Sequence, residues 1–236
     1  MSQDRRPGRR IAAFVRHGHF DRPDQTASGH SPRPLSATGR DQATAAAGPI
    51  AALCREHGLT VDKRIESSQL LRAWETASLL ATALEAETDR SHHVIQRDEL
   101  IERGLGSAAN LTFETIGELL GADPRIGPLP EGWRRMPEFR LPLPGAESLM
   151  QAGARTAARV VASMDSMPDD DPTDLARLFV AHSGCLRHAA VVLGAIDVRH
   201  VAGLSMGFLD CVLLERLPNG DWIHLAGEFA KHVPDR

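Results

Sequence analysis

The sequence has no tyrosine and almost no lysine, and each shortage narrows what the chain can do. Aromatic residues make up 4% of the 236, too few flat side chains for the stacking platforms that hold single-stranded nucleic acid. Of the 27 basic residues only Lys63 and Lys231 are lysine, leaving 25 arginines. Neither lysine follows a glycine, so no Gly-Lys-Ser/Thr nucleotide loop exists, and Schiff-base chemistry has two candidates at most. A basic surplus is also missing: 31 acidic residues give a net charge of −4, which argues against a general nucleic-acid partner. Cysteine is scarce and odd in number. Cys54, Cys185 and Cys211 show no Cys-x-x-Cys spacing and read as reduced thiols of a cytoplasmic protein. No apolar run approaches the roughly 20 residues of a membrane span. The polar, basic stretch Met1–Arg10 lacks the apolar core of a secretory signal. What is present is the composition of an ordinary globule, 42% hydrophobic and 25% charged, enough for one large domain over residues 1–236 with an inserted lid.

Periodicity along the chain predicts alternating strands and helices. Ile11–Val15 is a short apolar run that reads as a buried strand, followed by a loop over Asp21–Pro34 with three prolines and a glycine. Ser36 offers an N-cap to an alanine-rich helix reaching about His57, with a kink expected at Pro49. A short strand near Ile65, a helix over about 70–84 and a strand at His93–Gln96 follow. Composition then changes. Residues 104–143 hold one helix near 112–120 and a run of prolines, the signature of an irregular lid rather than a sheet-forming unit. Met150, Ala154, Ala157, Val161 and Met164 predict one face of a helix. Leu178–Ala181 reads as a second buried strand, a helix follows over about 185–193, and 211–225 reads as a hairpin turning at Pro218-Asn219-Gly220. The alternation predicts a three-layer α/β/α sandwich on a mostly parallel sheet, whose ligands bind beyond the carboxyl ends of strands. Arg16-His17-Gly18 and His182-Ser183-Gly184 both fall at such ends.

A strand-end Arg-His-Gly suits phosphate chemistry. Arginine offers a planar fork of donors, a neutral imidazole is a competent nucleophile toward phosphorus, and glycine lets a dianion approach the backbone. More motifs follow in order. Phe14-Val15-Arg16-His17-Gly18 with Pro34-Leu35-Ser36-Ala37-Thr38-Gly39-Arg40 resembles the opening of the histidine phosphatase superfamily, which includes phosphoglycerate mutases and many phosphatases. Ser67-Ser68-Gln69-Leu70-Leu71-Arg72-Ala73 resembles that family's second arginine motif, and Leu100-Ile101-Glu102-Arg103 its acid-bearing segment. Pro144-Gly145-Ala146-Glu147-Ser148 and Val180-Ala181-His182-Ser183-Gly184-Cys185-Leu186-Arg187 are similar to two further motifs, so the likeness covers about 11–194.

The resemblance implies a phosphoglycerate mutase-like fold and a catalytic set of His17, Arg16, Arg72, His182 and Glu102. His17 would attack phosphorus and become a phosphohistidine. Arg16, Arg72 and His182 would hold the phosphoryl oxygens, and Glu102 would protonate the leaving group and then activate water. Gly18, Ser28, Gly29 and Ser183 join the expected substrate contacts, and Arg22, Arg33, Arg134, Arg135 and Arg140 are further loop arginines that could meet an anion. The implied partner is a small phosphorylated substrate, without metal or other cofactor, nucleic acid or membrane; the sequence assigns no oligomeric state.

Other chemistries fit less well. His17-x-His19 could be a metal pair, but no barrel-length chain or further ligand set accompanies it. A cysteine phosphatase built on Cys185 would need arginine where Val191 stands. Between hydrolysis and mutase transfer, the departures from the mutase pattern point to a phosphomonoesterase. His19-Phe20-Asp21-Arg22 replaces the usual turn, and Leu105 stands where tyrosine is expected. Thr112, Phe113 and Glu114 supply no lysine, although Trp133-Arg134-Arg135 resembles the mutase Trp-Arg-Arg. A mutase, a protein phosphatase and a non-catalytic phosphate-binding domain remain the alternatives.

Overall fold

The computed structural model describes residues 8–168 and 171–231, so most of the Met1–Arg10 stretch lies outside the described residues. In chain order the elements are β1 (Arg10–Arg16), α1 (Ala37–Ala45), α2 (Ala47–Glu56), β2 (Thr60–Ser68) and α3 (Leu71–Thr88). Next come β3 (His93–Arg97), α4 (Phe113–Gly121), α5 (Leu149–Asp165), β4 (Leu175–Ala181) and α6 (Ser183–Val192). The chain ends with α7 (Val198–Val201), β5 (Leu204–Ser205), β6 (Cys211–Arg216), β7 (Trp222–Ala226) and β8 (Ala230–Lys231). The main sheet has the order β3-β2-β4-β1-β6-β7. Its first four strands are parallel, while β6 and β7 run antiparallel as the expected hairpin. The pair β5–β8, too short to leave a sequence pattern, forms a separate two-stranded sheet.

Strand β1 is apolar on both sides because both sides are covered. Ile11, Ala13 and Val15 pack with α2 and α3 residues such as Ile50, Leu80 and Leu84, while Ala12 and Phe14 pack with α5 and α6 residues such as Val160 and Leu186. This is the predicted three-layer sandwich. Phe14 and Phe179 meet edge to face across β1 and β4, with ring centroids 6.2 Å apart. Segment 104–143 has a third core of its own, built on Leu105, Ile116, Leu120, Trp133 and Leu141. Isolated bridges Thr26↔Thr112 and Leu105↔Ala146 tie it to its neighbours. It is more organised than its prolines suggest. Among the described residues no helix is long and apolar enough to cross a membrane.

Two helical expectations are corrected. Ser36 does cap α1, accepting from the Gly39 N–H at 3.1 Å. The break, however, falls at Ala46 rather than at Pro49. Proline lacks the N–H that the Ala45 carbonyl would accept and its ring crowds that carbonyl, so the disruption appears a turn earlier. On α5 the buried face is Leu149, Ala152, Gly153, Thr156, Ala157, Val160, Ser163 and Met164, not the face containing Met150 and Ala154. Counting only apolar residues misses it because its polar members are satisfied inside. The Thr156 hydroxyl donates to the Glu99 carbonyl at 2.9 Å and Ser163 donates to Glu66 at 2.8 Å.

Candidate active site

Strand register assembles the centre of the site. Arg16 pairs with Ala181 in the parallel β1–β4 ladder, so the next residue on each strand, His17 and His182, must emerge side by side. The His17 N–H donates to the Ala181 carbonyl at 3.0 Å, and the two rings lie 5.0 Å apart. On the other side of β4, strand β2 ends at Ser68, and α3 opens with Leu71-Arg72. Arg72, 2% exposed, therefore enters from a helix start.

Hydrogen bonds fix the protonation pattern. Nδ1 of His17 lies 2.7 Å from the Gly18 carbonyl, which can only accept, so Nδ1 carries the proton and Nε2 keeps its lone pair. Arg72 Nε donates to that Nε2 at 3.1 Å. The remaining Arg72 nitrogens donate to the Ser31 carbonyl at 3.0 Å, the Gly29 carbonyl at 2.8 Å and Nδ1 of His182 at 3.1 Å. His182 then carries its proton on Nε2 and donates to the Ser68 hydroxyl at 2.9 Å. Burial, reinforced by the charges of Arg72 and Arg16, holds both imidazoles well below their ordinary pKa. Both are neutral near pH 7. Burial also lowers Arg16 and Arg72 to about 10, which still leaves them charged.

Arg16 is held more loosely. One terminal nitrogen donates to the Met206 carbonyl, while Nε is buried with no acceptor. Glu102 arrives from the loop after β3, and its carboxylate accepts backbone N–H groups from Arg103 at 2.8 Å, Gly184 at 3.0 Å and Cys185 at 3.0 Å. The last two are free donors in the first turn of α6, where the helix dipole favours a negative group. The motif residue Glu147 anchors this arrangement from behind. It accepts from Gly104 N at 3.0 Å and from both forks of Arg155, and Arg155 also donates to the Glu99 and Ile101 carbonyls.

These side chains open onto a cavity of about 260 Å³ lined by Arg16, His17, Arg72, Glu102, Ser28 and Gly29. His182 itself does not line the cavity. Gly18 and Ser183 stand elsewhere. A Cβ on Gly18 would fall 2.7 Å from the Gly39 carbonyl oxygen, so close packing of that loop on α1 requires the glycine. The Ser183 hydroxyl accepts from Arg187 and from the Met206 N–H. His19 turns to Ser36, with Nδ1 2.7 Å from the hydroxyl. Of the loop arginines, Arg22 lines the cavity, and Arg134 instead covers the Phe113 ring at 4.4 Å. Arg103 and Arg187 also line it, and their only sequence signal is that they follow Glu102 and His182 in the same two motifs. Five arginines and one carboxylate therefore face this cavity in a chain of net charge −4. Cys185 is buried and burial raises its thiol to about 12, so it is no nucleophile.

Residues 12–226 match the family pattern described as the histidine phosphatase superfamily (branch 1). No curated protein matches the sequence. Among solved structures, a mycobacterial glucosyl-3-phosphoglycerate phosphatase is 25% identical, with a TM-score of 0.68 over 95% of this chain and 100% of that one. A putative alpha-ribazole-5'-P phosphatase from Escherichia coli is 21% identical, with a TM-score of 0.65 over 94% and 99% of the two chains. Phosphoglycerate mutase from Bacillus anthracis is 18% identical, with a TM-score of 0.71 over 95% of each chain, a likeness of fold.

Proposed function

Because the chain belongs to branch 1 of the histidine phosphatase superfamily, we propose that it is a phosphomonoesterase acting on a small phosphorylated metabolite through a phosphohistidine. The observation that carries this reading is the state of His17: neutral, with its tautomer fixed by Gly18 and its Nε2 lone pair turned toward Arg72 in a cavity that Arg16 also lines. A phosphate ester entering the cavity meets Arg16, whose donors are largely uncommitted, and competes for Arg72, which trades its bonds to His17 and the 29–31 carbonyls for phosphoryl oxygens. Nε2 is thereby released to attack phosphorus as the ester oxygen leaves. Arg16 and Arg72 stabilise the equatorial charge in the transition state, and His182 joins them by turning its Nε2 proton from Ser68 to a phosphoryl oxygen. Glu102 delivers a proton to the departing alkoxide. It then takes one from the water that cleaves the phosphohistidine.

Hydrolysis is favoured over transfer because Leu105 and Phe113, both apolar, line the cavity at positions that would carry anchoring groups in a mutase. The solved relative with the 25% likeness is described as a phosphatase. Residues 104–143 act as the lid of a single domain and contribute Leu105 and Phe113 to the cavity lining. Ser28 and Gly29 supply further contacts. The reading needs no metal or other cofactor, since arginines and neutral histidines provide the charge and the nucleophile, and it suits a cytoplasmic metabolite. Rapid quench with a 32P-labelled phosphomonoester tests it. The wild type is expected to form an acid-labile, base-stable phosphoenzyme that His17→Ala lacks. Persistence of the adduct in His17→Ala would overturn the assignment of the nucleophile.

A further inference from the structure

We propose that Phe208 is a positioning residue: its ring aims the Arg16 fork at the phosphate. This rests on the reading of the first cavity as a phosphate pocket. The two arginines of the site are held in opposite ways. Arg72 gives four of its five N–H groups to protein acceptors. Arg16 gives one, to Met206, and its buried Nε has no acceptor. What fixes the Arg16 plane is the face of Phe208, 4.2 Å from ring centroid to guanidinium carbon. The same ring lies 5.9 Å from His17 and 5.4 Å from His19. A charged, planar group covered on one face by a ring gains cation–π attraction without spending a donor, so its N–H edge stays free for an anion.

The backbone around Phe208 is built for this placement. Leu209 sits at φ 61°, a left-handed conformation that a leucine adopts only under constraint. Its N–H donates to the Arg16 carbonyl at 3.0 Å, while the Arg16 N–H donates to the Asp210 carbonyl at 3.3 Å. The Asp210 carboxylate closes the turn onto the Gly207 N–H. Strand β1 and the 206–210 turn are thus locked at the residue whose side chain Phe208 covers. Phe208 also lines a second cavity of about 680 Å³, of mixed polarity, with Gln42, Ile50, Leu53, Glu56 and Asp210.

Isothermal titration of the full-length protein with inorganic phosphate separates aiming from packing. Phe208→Leu keeps apolar bulk and loses the ring, and we expect it to weaken phosphate binding about 3- to 30-fold. Phe208→Tyr keeps the ring and is expected to stay within about twofold of wild type. With a phosphomonoester, Phe208→Leu should raise KM more than it lowers kcat. In an Arg16→Gln background the same change should do nothing further. Phe20→Leu, opposite the better-tethered Arg72 (4.6 Å from ring centroid), should have the smaller effect. Phosphate binding by folded Phe208→Leu equal to wild type overturns the proposal while leaving the phosphatase reading intact. Failure of the wild type to bind phosphate at all removes the reading itself. If Phe208→Leu does not fold, Phe208→Met takes its place with the same two outcomes.

Discussion

His17 and His182 stand 5.0 Å apart, ring to ring, because Arg16 and Ala181 are register partners on neighbouring parallel strands. Their closeness determines how the site responds to pH. Two imidazolium ions at that distance, beside Arg72, would add a strongly repelling charge, and burial already disfavours either one. The folded protein therefore binds fewer protons on these rings than the unfolded chain, whose histidines titrate near 6.5. A group with a depressed folded pKa contributes stability above its unfolded value and loses it as pH falls. His188, 1% exposed and lowered to about 4, contributes in the same direction. We expect Tm to fall as pH drops from 6.5 toward 4. Catalysis should be less sensitive, with kcat/KM flat through pH 6.5 and its acid limb lower. A bell centred on an ordinary histidine value would contradict the buried, neutral His17.

Arg72 should not be replaceable by lysine. Its Nε, Nη1 and Nη2 reach His17, Ser31, Gly29 and His182 at once, which a single ammonium cannot do. Arg72→Lys should lower kcat/KM by about 100-fold or more on the scale of a lost transition-state donor. Part of the loss should appear as disorder in the 28–31 loop, whose carbonyls lose their anchor. Steady-state kinetics with limited proteolysis of that loop measures both effects.

Most of the site was legible from sequence because its chemistry sits in short, contiguous motifs at strand ends. Arg16-His17 and His182 were readable from the apolar runs that precede them, and the register then brought them together. The 206–210 turn was not legible. Phe208 belongs to no chemical motif, and its contact with Arg16 depends on β6 running antiparallel beside β1, a pairing across about 200 residues. The buried face of α5 is hidden in the sequence for a different reason: Thr156 and Ser163 look exposed until their acceptors on distant segments are known.

One of those acceptors carries a prediction of its own. Glu66 has 0% exposure and receives both forks of Arg159, at 2.7 and 2.9 Å, the Ser163 hydroxyl, and Arg64 at 3.2 Å. Burial alone would raise its pKa, but the Arg159 and Ser163 hydrogen bonds and the nearby arginine charges outweigh it and lower the value. Glu66→Leu leaves Arg159 and Arg64 without their carboxylate and should cost about 3–5 kcal/mol, roughly 10 °C in Tm. The depressed pKa means that this contribution is intact above the ordinary carboxylate value of about 4.3 and fades as pH falls through the folded value. Thermal scans from pH 3 to 7 should show the variant and wild type converging at the acid end. Parallel curves would show that the Glu66 cluster does not titrate with folding.

Gly184 offers a way to move the acid without removing it. A Cβ built there falls 2.4 Å from Oε1 and 3.0 Å from Cδ of Glu102, too close for the carboxylate to keep its place on the Gly184 and Cys185 N–H groups. The backbone itself has no objection, since Gly184 lies in the first turn of α6, where alanine is the better helix former. Gly184→Ala should therefore fold with unchanged or slightly higher Tm while Glu102 is pushed aside. Loss of a positioned general acid costs typically about 100-fold or more, and the cost grows with the basicity of the leaving group. The variant should hydrolyse an alkyl phosphate far more slowly than wild type yet keep much of its activity toward p-nitrophenyl phosphate, whose leaving group needs no proton. Equal losses on both substrates would mean that the Glu102 carboxylate positions the α6 N-terminus and transfers no proton.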